Sequence, residues 1–294
     1  MKNGFDAKRL YQVVFTAQDP YVLGIGLAAW RDVGHFFKHA SKDDEGTANP
    51  VANLVKHSIG RGISQSGNFL RGWLHLGFNQ AEQGGLVHEG AWPIIAGRRI
   101  ALNFRWAQPD GVLELYQAGS EGPQWWLPHP DPVRGLPAAG ILDRCLATNT
   151  CPKIVEHFGS AEVWALKLTP EWVGTDAKAD LPLPENVRRY YIASSTHGGG
   201  AGGQSSGTLA LANKKDLGFP TLPGLRPTIP EPDFIMPVFD YDWGPQFNAL
   251  DASGIPSNAP PKIKQILKMY APKVDQDGNE LGGVPVALLD APLG

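Results

Sequence analysis

Apolar residues follow two spacings along the chain, and these spacings predict strands that alternate with helices. Short apolar runs rich in β-branched and aromatic residues are typical of buried strands. They occur at residues 10–16, 57–63, 89–95, 153–158 and 187–193. Apolar positions recur at helical spacing over residues 22–39 and again over residues 64–77. This alternation predicts an α/β fold, with a mostly parallel sheet flanked by helices, in a single domain spanning residues 1–294.

A long insertion, about residues 98–152, separates the third and fourth predicted strands. It contains Trp106, Trp125 and Trp126 and many prolines, which makes it too aromatic for a solvated linker. We predict a cap or lid over a pocket, with Trp125 and Trp126 lining the substrate pocket. The alternative is an irregular excursion that only buries its aromatic side chains against the sheet. Residues 198–207 are mostly Gly and Ser and residues 217–261 are rich in proline, so both stretches are predicted loops.

Charge and hydropathy exclude two classes of partner. The net charge is −3 and no run of Lys or Arg occurs, so the chain lacks the electrostatic footprint of a nucleic-acid-binding protein. The longest uncharged apolar stretch, residues 21–30, is far short of the roughly 20 residues that a membrane-spanning helix needs. We therefore expect neither a nucleic-acid nor a membrane partner, but a small-molecule or polymeric substrate.

The two cysteines of the chain, Cys145 and Cys151, lie in one short segment. Two thiols alone cannot form a metal site, and nothing else explains two cysteines this close in a cysteine-poor chain. We predict a local disulfide, which favours a periplasmic or secreted protein, although residues 1–6 show no signal peptide. Two reduced cysteines in a cytosolic protein are the alternative.

The segment Gly62-Ile63-Ser64-Gln65-Ser66-Gly67 fits a nucleophile elbow between a strand and a helix. Small residues on either side of the serine let the chain reverse sharply, so that the hydroxyl of Ser64 stands clear at the helix N-terminus. The backbone N–H of Gln65 can then donate to a developing oxyanion. Ser66 is the competing nucleophile, but its frame puts an asparagine at a position that needs a small residue. Ser66 is better interpreted as a small packing residue.

A serine nucleophile needs a base and an acid, and both are predicted at the carboxyl ends of strands. His197 follows the strand at 187–193 and begins a glycine-rich loop, where an imidazole can meet Ser64. Glu162 directly follows the strand at 153–158, so it is the predicted acid, with Asp176 and Asp180 as reserves. The chain order serine, acid, histidine is the order that the α/β-hydrolase fold uses.

Two other motifs are similar to cofactor-binding and metal-binding patterns, but both are incomplete. Gly198, Gly200 and Gly203 match a dinucleotide-binding pattern after a strand, but no crossover helix follows them. The segment at residues 275–279 is similar to a calcium loop, yet its glycine is misplaced and no closing glutamate follows. We interpret that segment as a tight turn, and we predict neither a metal nor an organic cofactor.

The elbow, which reads GISQSGNFLR over residues 62–71, resembles that of bacterial α/β-hydrolase-domain proteins, GISQSGRFLR or close to it. Similar segments are spread over nearly the whole chain. The further similar segments are DPYVLGIG at 19–26, DRCLATNTCP at 143–152, AEVW at 161–164, THG at 196–198 and FNALD at 247–251. The resemblance implies an α/β-hydrolase fold with Ser64, Glu162 and His197 as the triad. The chain departs from the family at Asn68, where arginine is usual.

Length is a second departure from that family, whose members carry several strands before the elbow. Only 63 residues precede Ser64, enough for about one strand-helix-strand crossover. We therefore expect a chain shortened at both ends, with N-terminal strands missing. It is a shortened version, a fragment, or one half of a fold that another chain completes. The second oxyanion donor comes from that upstream region in the family and is not assigned.

These features predict a serine hydrolase that cleaves carboxylic esters through an acyl-enzyme on Ser64. Apolar or aromatic acyl and aryl groups are the expected substrates, with polyesters included. One alternative is an impaired hydrolase remnant that acts as a binding or structural protein. Acyl transfer to an alcohol instead of water would use the same residues.

Overall fold

The structure is a computed structural model, and it describes the greater part of the chain. The described residues are 4–6, 8, 11, 18–19, 21, 24–96, 123–164, 166, 168–176, 180–193, 195–197, 235–250, 253–255, 257–258, 261–270, 280 and 283–284. Their helices are α1 (Ile25–His39), α2 (Gln65–His75), α3 (Asp143–Thr148), α4 (Ser160–Trp164) and α5 (Thr169–Val173). Their strands are β1 (Ile59–Ile63), β2 (Gly90–Ile94), β3 (His129–Asp131), β4 (Leu136–Ala139), β5 (Lys153–Gly159), β6 (Val187–Ile192), β7 (Ile235–Asp242), β8 (Phe247–Asn248), β9 (Ser253–Gly254) and β10 (Lys262–Tyr270).

A four-stranded parallel sheet in the order β1-β2-β5-β6 organises the fold. Its register pairs Ile63 with Ile94, Ile94 with His157, and Gly159 with Ile192, so the carboxyl ends of all four strands lie at one edge. The sheet and its flanking helices confirm the predicted α/β fold, and the four strands match the predicted runs to within two residues. The predicted strand at 10–16 lies outside the described residues, apart from one position.

Helix α2 packs against the sheet because its apolar stripe faces the core. Leu70, Trp73 and Leu74 on this helix are at most 2% exposed. Leu70 fits over β1 because Gly60 has no side chain, and a Cβ there would lie 3.2 Å from Leu70 Cδ1. The indole N–H of Trp73 donates to the backbone oxygen of Leu27, at 3.1 Å, and so ties α2 to α1. The helix that follows the elbow is thereby fixed against the sheet.

The described part of the predicted cap, residues 123–152, contains the antiparallel pair β3–β4 and helix α3. Cys145 and Cys151 form a disulfide there, as predicted, and it closes the loop between α3 and β5. Residues 98–122 lie outside the described residues, so the cap itself stays a prediction. Within the part of the chain that is described, no helix has the length and hydropathy needed to span a membrane.

A buried ionic cluster joins α2, β5, α5 and β6. Arg71 on α2 donates from Nη1 to Glu156 Oε2, at 3.0 Å, and from Nη2 to Glu171 Oε2, at 2.9 Å. Arg189 on β6 donates from Nε to Glu156 Oε1, at 2.6 Å. The side chains of Arg71, Glu156 and Glu171 are 0–1% exposed. Each buried charge thus has an opposite charge within hydrogen-bond distance, which is the condition for burying charges at acceptable cost.

Candidate active site

Ser64 stands at a sharp turn between β1 and α2. Its backbone has φ 54° and ψ −117°, and a positive φ is uncommon for a residue other than glycine. The Ser64 N–H donates to the backbone oxygen of Ile94 on β2, at 2.8 Å, and its own backbone oxygen accepts from Asn68 N–H, at 2.9 Å. These two bonds hold the strained backbone between the sheet and the first turn of the helix.

Gly62 makes this turn possible because the chain folds back onto it. A Cβ at Gly62 would lie 2.2 Å from the backbone oxygen of Ser66 and 2.4 Å from its carbonyl carbon. Ser66 lies in the first turn of α2 with an exposed side chain, so the expectation that it is a packing residue is wrong. The requirement for a small residue two positions before the serine therefore arises from a backbone contact.

Replacing Gly62 by alanine should distort the elbow. We expect a loss of more than about 1 kcal/mol in the free energy of unfolding, because the overlap is with backbone and no side chain can move aside. The matched control is Gly60→Ala on the same strand, where the nearest atom is a flexible Leu70 methyl group at 3.2 Å. Denaturant unfolding of both variants measures the difference. Equal losses would contradict the backbone overlap.

His197 reaches Ser64 across 133 positions of sequence. The Ser64 hydroxyl lies 2.7 Å from His197 Nε2. The histidine follows β6 by five residues, on the carboxyl edge of the sheet, and its side chain is 41% exposed. The imidazole thus meets the hydroxyl on one side while remaining open to solvent.

Glu162 contacts the other nitrogen of that imidazole. It lies on α4, directly after β5, and its side chain is fully buried. Its Oε1 forms a hydrogen bond with His197 Nδ1, and its Oε2 accepts from the backbone N–H of Gly159, at 2.5 Å. The structure therefore brings together Ser64, His197 and Glu162, rather than the reserve acids Asp176 or Asp180.

The order of these hydrogen bonds determines the proton positions. A carboxylate can only accept, so Nδ1 of His197 carries the proton that points at Glu162. In the neutral imidazole Nε2 is then the acceptor, and the Ser64 hydroxyl donates to it. Gln65 is the first residue of α2, so its N–H is one of the helix-terminal amides without a partner inside the helix. The arrangement can remove a proton from a hydroxyl and offers an amide beside it for a developing negative charge.

The described hydrogen bonds of Trp125 and Trp126 go to residues other than the three triad residues. Trp125 donates from its indole N–H to the backbone oxygen of Pro170, at 2.9 Å, and Trp126 donates to Glu156 Oε1, at 2.8 Å. Both tryptophans line a small pocket that is partly open to solvent. Its walls come from residues 125–129, 171, 181–183 and 189, and the three triad residues do not line it. The role of Trp125 and Trp126 as residues of the substrate pocket stays a prediction.

The partners of two residues, Arg71 and Glu280, could not be predicted from the sequence. Arg71 was only part of the motif GISQSGNFLR, and its burial depends on partners up to 100 positions away. Glu280 follows a predicted turn, yet its carboxylate lies beside the helix that bears Glu162 and accepts from Ser160 Oγ at 2.5 Å. Only a covariation of distant positions could have found such partners. Among the described residues, no cluster of His, Cys, Asp or Glu could hold a metal ion.

Comparison with known families agrees with the geometry. The family model described as alpha/beta hydrolase domain matches residues 2–294, nearly the full length of the chain. Neither a curated protein nor a solved structure matches the chain significantly. The parallel sheet and the extent of the family match lead to one conclusion: the chain belongs to the α/β-hydrolase domain family, which supports a general hydrolase function.

Proposed function

We propose that this protein is a serine hydrolase that cleaves carboxylic esters through an acyl-enzyme on Ser64. The observation that carries the proposal is the continuous hydrogen-bonded chain from the Ser64 hydroxyl through His197 to the buried carboxylate of Glu162. A strained, outward-facing serine bonded to an imidazole has no evident structural purpose, whereas it is the arrangement that nucleophilic catalysis requires.

In the first half of the reaction, Ser64 Oγ attacks the ester carbonyl carbon while His197 Nε2 takes the hydroxyl proton. The carbonyl oxygen becomes an oxyanion and accepts from the N–H of Gln65 at the start of α2. Glu162 stabilises the imidazolium and holds its orientation. The imidazolium then returns its proton to the departing alkoxide, so that an alcohol leaves and the acyl group stays on Ser64.

In the second half, water attacks the acyl-enzyme with His197 again as the base. The carboxylic acid leaves and the Ser64 hydroxyl is restored, so that one ester and one water give one acid and one alcohol. Water reaches the imidazole directly because the His197 side chain is 41% exposed.

The proposed preference for apolar or aromatic esters, polyesters included, rests on the pocket beside Trp125 and Trp126. A series of p-nitrophenyl esters from acetate to octanoate, with benzoate, tests this preference. If the pocket takes the acyl or aryl group, kcat/KM should rise with apolar size. A flat series would leave the esterase proposal standing and remove the pocket assignment.

A fluorophosphonate probe tests the nucleophile itself. We expect the folded protein to be labelled once per chain, with the label mapped to the peptide that contains Ser64, because the probe reacts with an activated serine and not with ordinary hydroxyls. Heat-denatured protein is the control and should not react. Silence of the folded protein would instead favour a hydrolase remnant that binds without catalysis.

A further inference from the structure

A second carboxylate, Glu280, lies beside the acid-bearing helix and accepts side-chain hydrogen bonds from three described residues. Ser160 donates from its hydroxyl to Oε2 at 2.5 Å, and Tyr191 donates from its hydroxyl to the same oxygen at 2.6 Å. Trp164 donates from its indole N–H to Oε1 at 2.5 Å. Donors from one helix and one strand thus converge on a single carboxylate, an arrangement of strong, charge-assisted hydrogen bonds.

Two of these donors are the first and last residues of α4, the helix that carries Glu162. A helix of five residues cannot stabilise itself, because the cost of nucleating one turn exceeds the gain from so few backbone bonds. Its orientation must come from its surroundings. Glu280 accepts from residues at both ends of α4, the helix that carries Glu162.

The same cluster reaches the histidine side of the site. The Ser160 hydroxyl accepts from the backbone N–H of Ser195, at 3.2 Å, two positions before His197. The Ser195 backbone oxygen in turn accepts from the N–H of Ala161, at 3.4 Å. Since the Ser160 hydroxyl has only one proton, donating it to Glu280 leaves its lone pairs free to accept from Ser195. Ser160 therefore connects Glu280 to the segment that bears His197.

The segment that bears Glu280 is itself held along β6. Val284 forms a parallel bridge with Ile192, and its N–H donates to the backbone oxygen of Tyr191 at 2.6 Å. Burial, and secondly the hydrogen bond to Glu280, raise the pKa of the Tyr191 hydroxyl, so that it remains a donor throughout the pH range of an esterase assay. The carboxylate thus keeps this partner under all assay conditions.

We propose that Glu280 is a positioning residue that holds α4 and the loop bearing His197 in the register that the contacts among Ser64, His197 and Glu162 require. The inference rests on the proposed function. The hydrogen bonds described for the Glu280 carboxylate go to Ser160, Trp164 and Tyr191, and none of them goes to the three triad side chains. Glu280 acts through Ser160, Trp164 and Tyr191.

The test compares Glu280→Gln with Glu82→Gln, a matched change at an exposed glutamate. An amide cannot accept at both ends, so the side chain of the Glu280→Gln variant would lose donors that the carboxylate holds. We expect kcat for a p-nitrophenyl ester to fall by up to about 100-fold, with KM nearly unchanged, because small misplacements of catalytic groups cost this much. Fluorophosphonate titration gives the fraction of competent sites, so that loss of folded protein does not enter kcat.

A second measurement does not depend on turnover. The hydrogen bond between His197 and Glu162 should give a low-field imidazole N–H proton resonance that Glu162→Gln removes. Glu280→Gln should shift or broaden it, whereas Glu82→Gln should leave it as in the parent. Should Glu280→Gln fail to fold, Tyr191→Phe, which removes one donor and keeps the carboxylate, should produce the same changes to a smaller extent.

The outcomes separate this inference from the proposed function. A parent-like resonance and kcat in folded Glu280→Gln, or in Tyr191→Phe where that variant decides, overturn the positioning role and leave the esterase proposal intact. A shifted resonance in a protein whose parent shows no Ser64-dependent turnover overturns the esterase proposal while the geometric role of Glu280 stands. A lower melting temperature with unchanged kcat and resonance also overturns the inference.

Discussion

Ser64→Ala is expected to lower kcat for ester hydrolysis by roughly 10⁴- to 10⁶-fold, which is the scale of losing the nucleophile in serine hydrolases. The reason is that alanine cannot form the acyl-enzyme, so only binding and the oxyanion donor would still assist attack by water. The structural cost should be small, because the Ser64 side chain makes no capping hydrogen bond to α2. Initial rates with p-nitrophenyl acetate, together with the melting temperature, measure both effects.

Variants of the other two triad residues test the same assignment. His197→Ala should lose nearly as much as Ser64→Ala, and the double variant should lose no more than either, because the two side chains act as one unit. Glu162→Gln should also lose activity, since an amide cannot hold the imidazole in the same tautomer. Ser66→Ala is the matched control, an exposed serine two positions away that should retain parental kcat. Equal rates for the parent and Ser64→Ala would overturn the assignment of the nucleophile.

The part of the site that sequence could predict is the part that depends on local geometry. The elbow is set by contacts within a few positions, such as that between Gly62 and the backbone of Ser66. Glu162 and His197 could be chosen because each comes within five residues of the end of a strand, and the carboxyl ends of parallel strands meet at one edge. Ser64 and His197 follow β1 and β6, the two outer strands of the sheet, so their contact also depends on the segment after β6, whose path the sequence did not predict.

Partners that depend on side-chain packing could not be predicted in this way. Glu280 lies 120 positions from Ser160, and a turn-rich segment gives no sign of which strand it will lie against. Trp125 and Trp126 were expected at the substrate pocket because aromatic residues commonly line pockets. Their role there stays a prediction, but Trp126 also packs over the Arg71 guanidinium, at 4.8 Å, and bonds to Glu156, which the sequence did not predict. An aromatic pair in an insertion is equally suited to covering a buried charge.

That buried charge is the basis of the largest expected effect on stability. Arg71→Met should lower the free energy of unfolding by about 3–5 kcal/mol, because it removes the positive partner from buried carboxylates. Glu156 would keep Arg189 and the Trp126 indole N–H, whereas Glu171 would lose the guanidinium that lies 2.9 Å from its Oε2. Methionine approximates the length of the arginine stem, so the loss measures charge and hydrogen bonding more than volume.

The matched control is Arg144→Met, because Arg144 is an exposed arginine that donates to the backbone oxygen of Leu76, at 3.1 Å. An exposed cation of this kind contributes little, so this variant should lose less than about 1 kcal/mol. Denaturant unfolding of the two variants and the parent gives the comparison, with equal slopes required for a valid difference. Equal stability of Arg71→Met and Arg144→Met would show that desolvation of the buried cluster cancels its attraction. The contribution of the cluster to the site would then be the geometry that it fixes between α2 and β5, and not its energy.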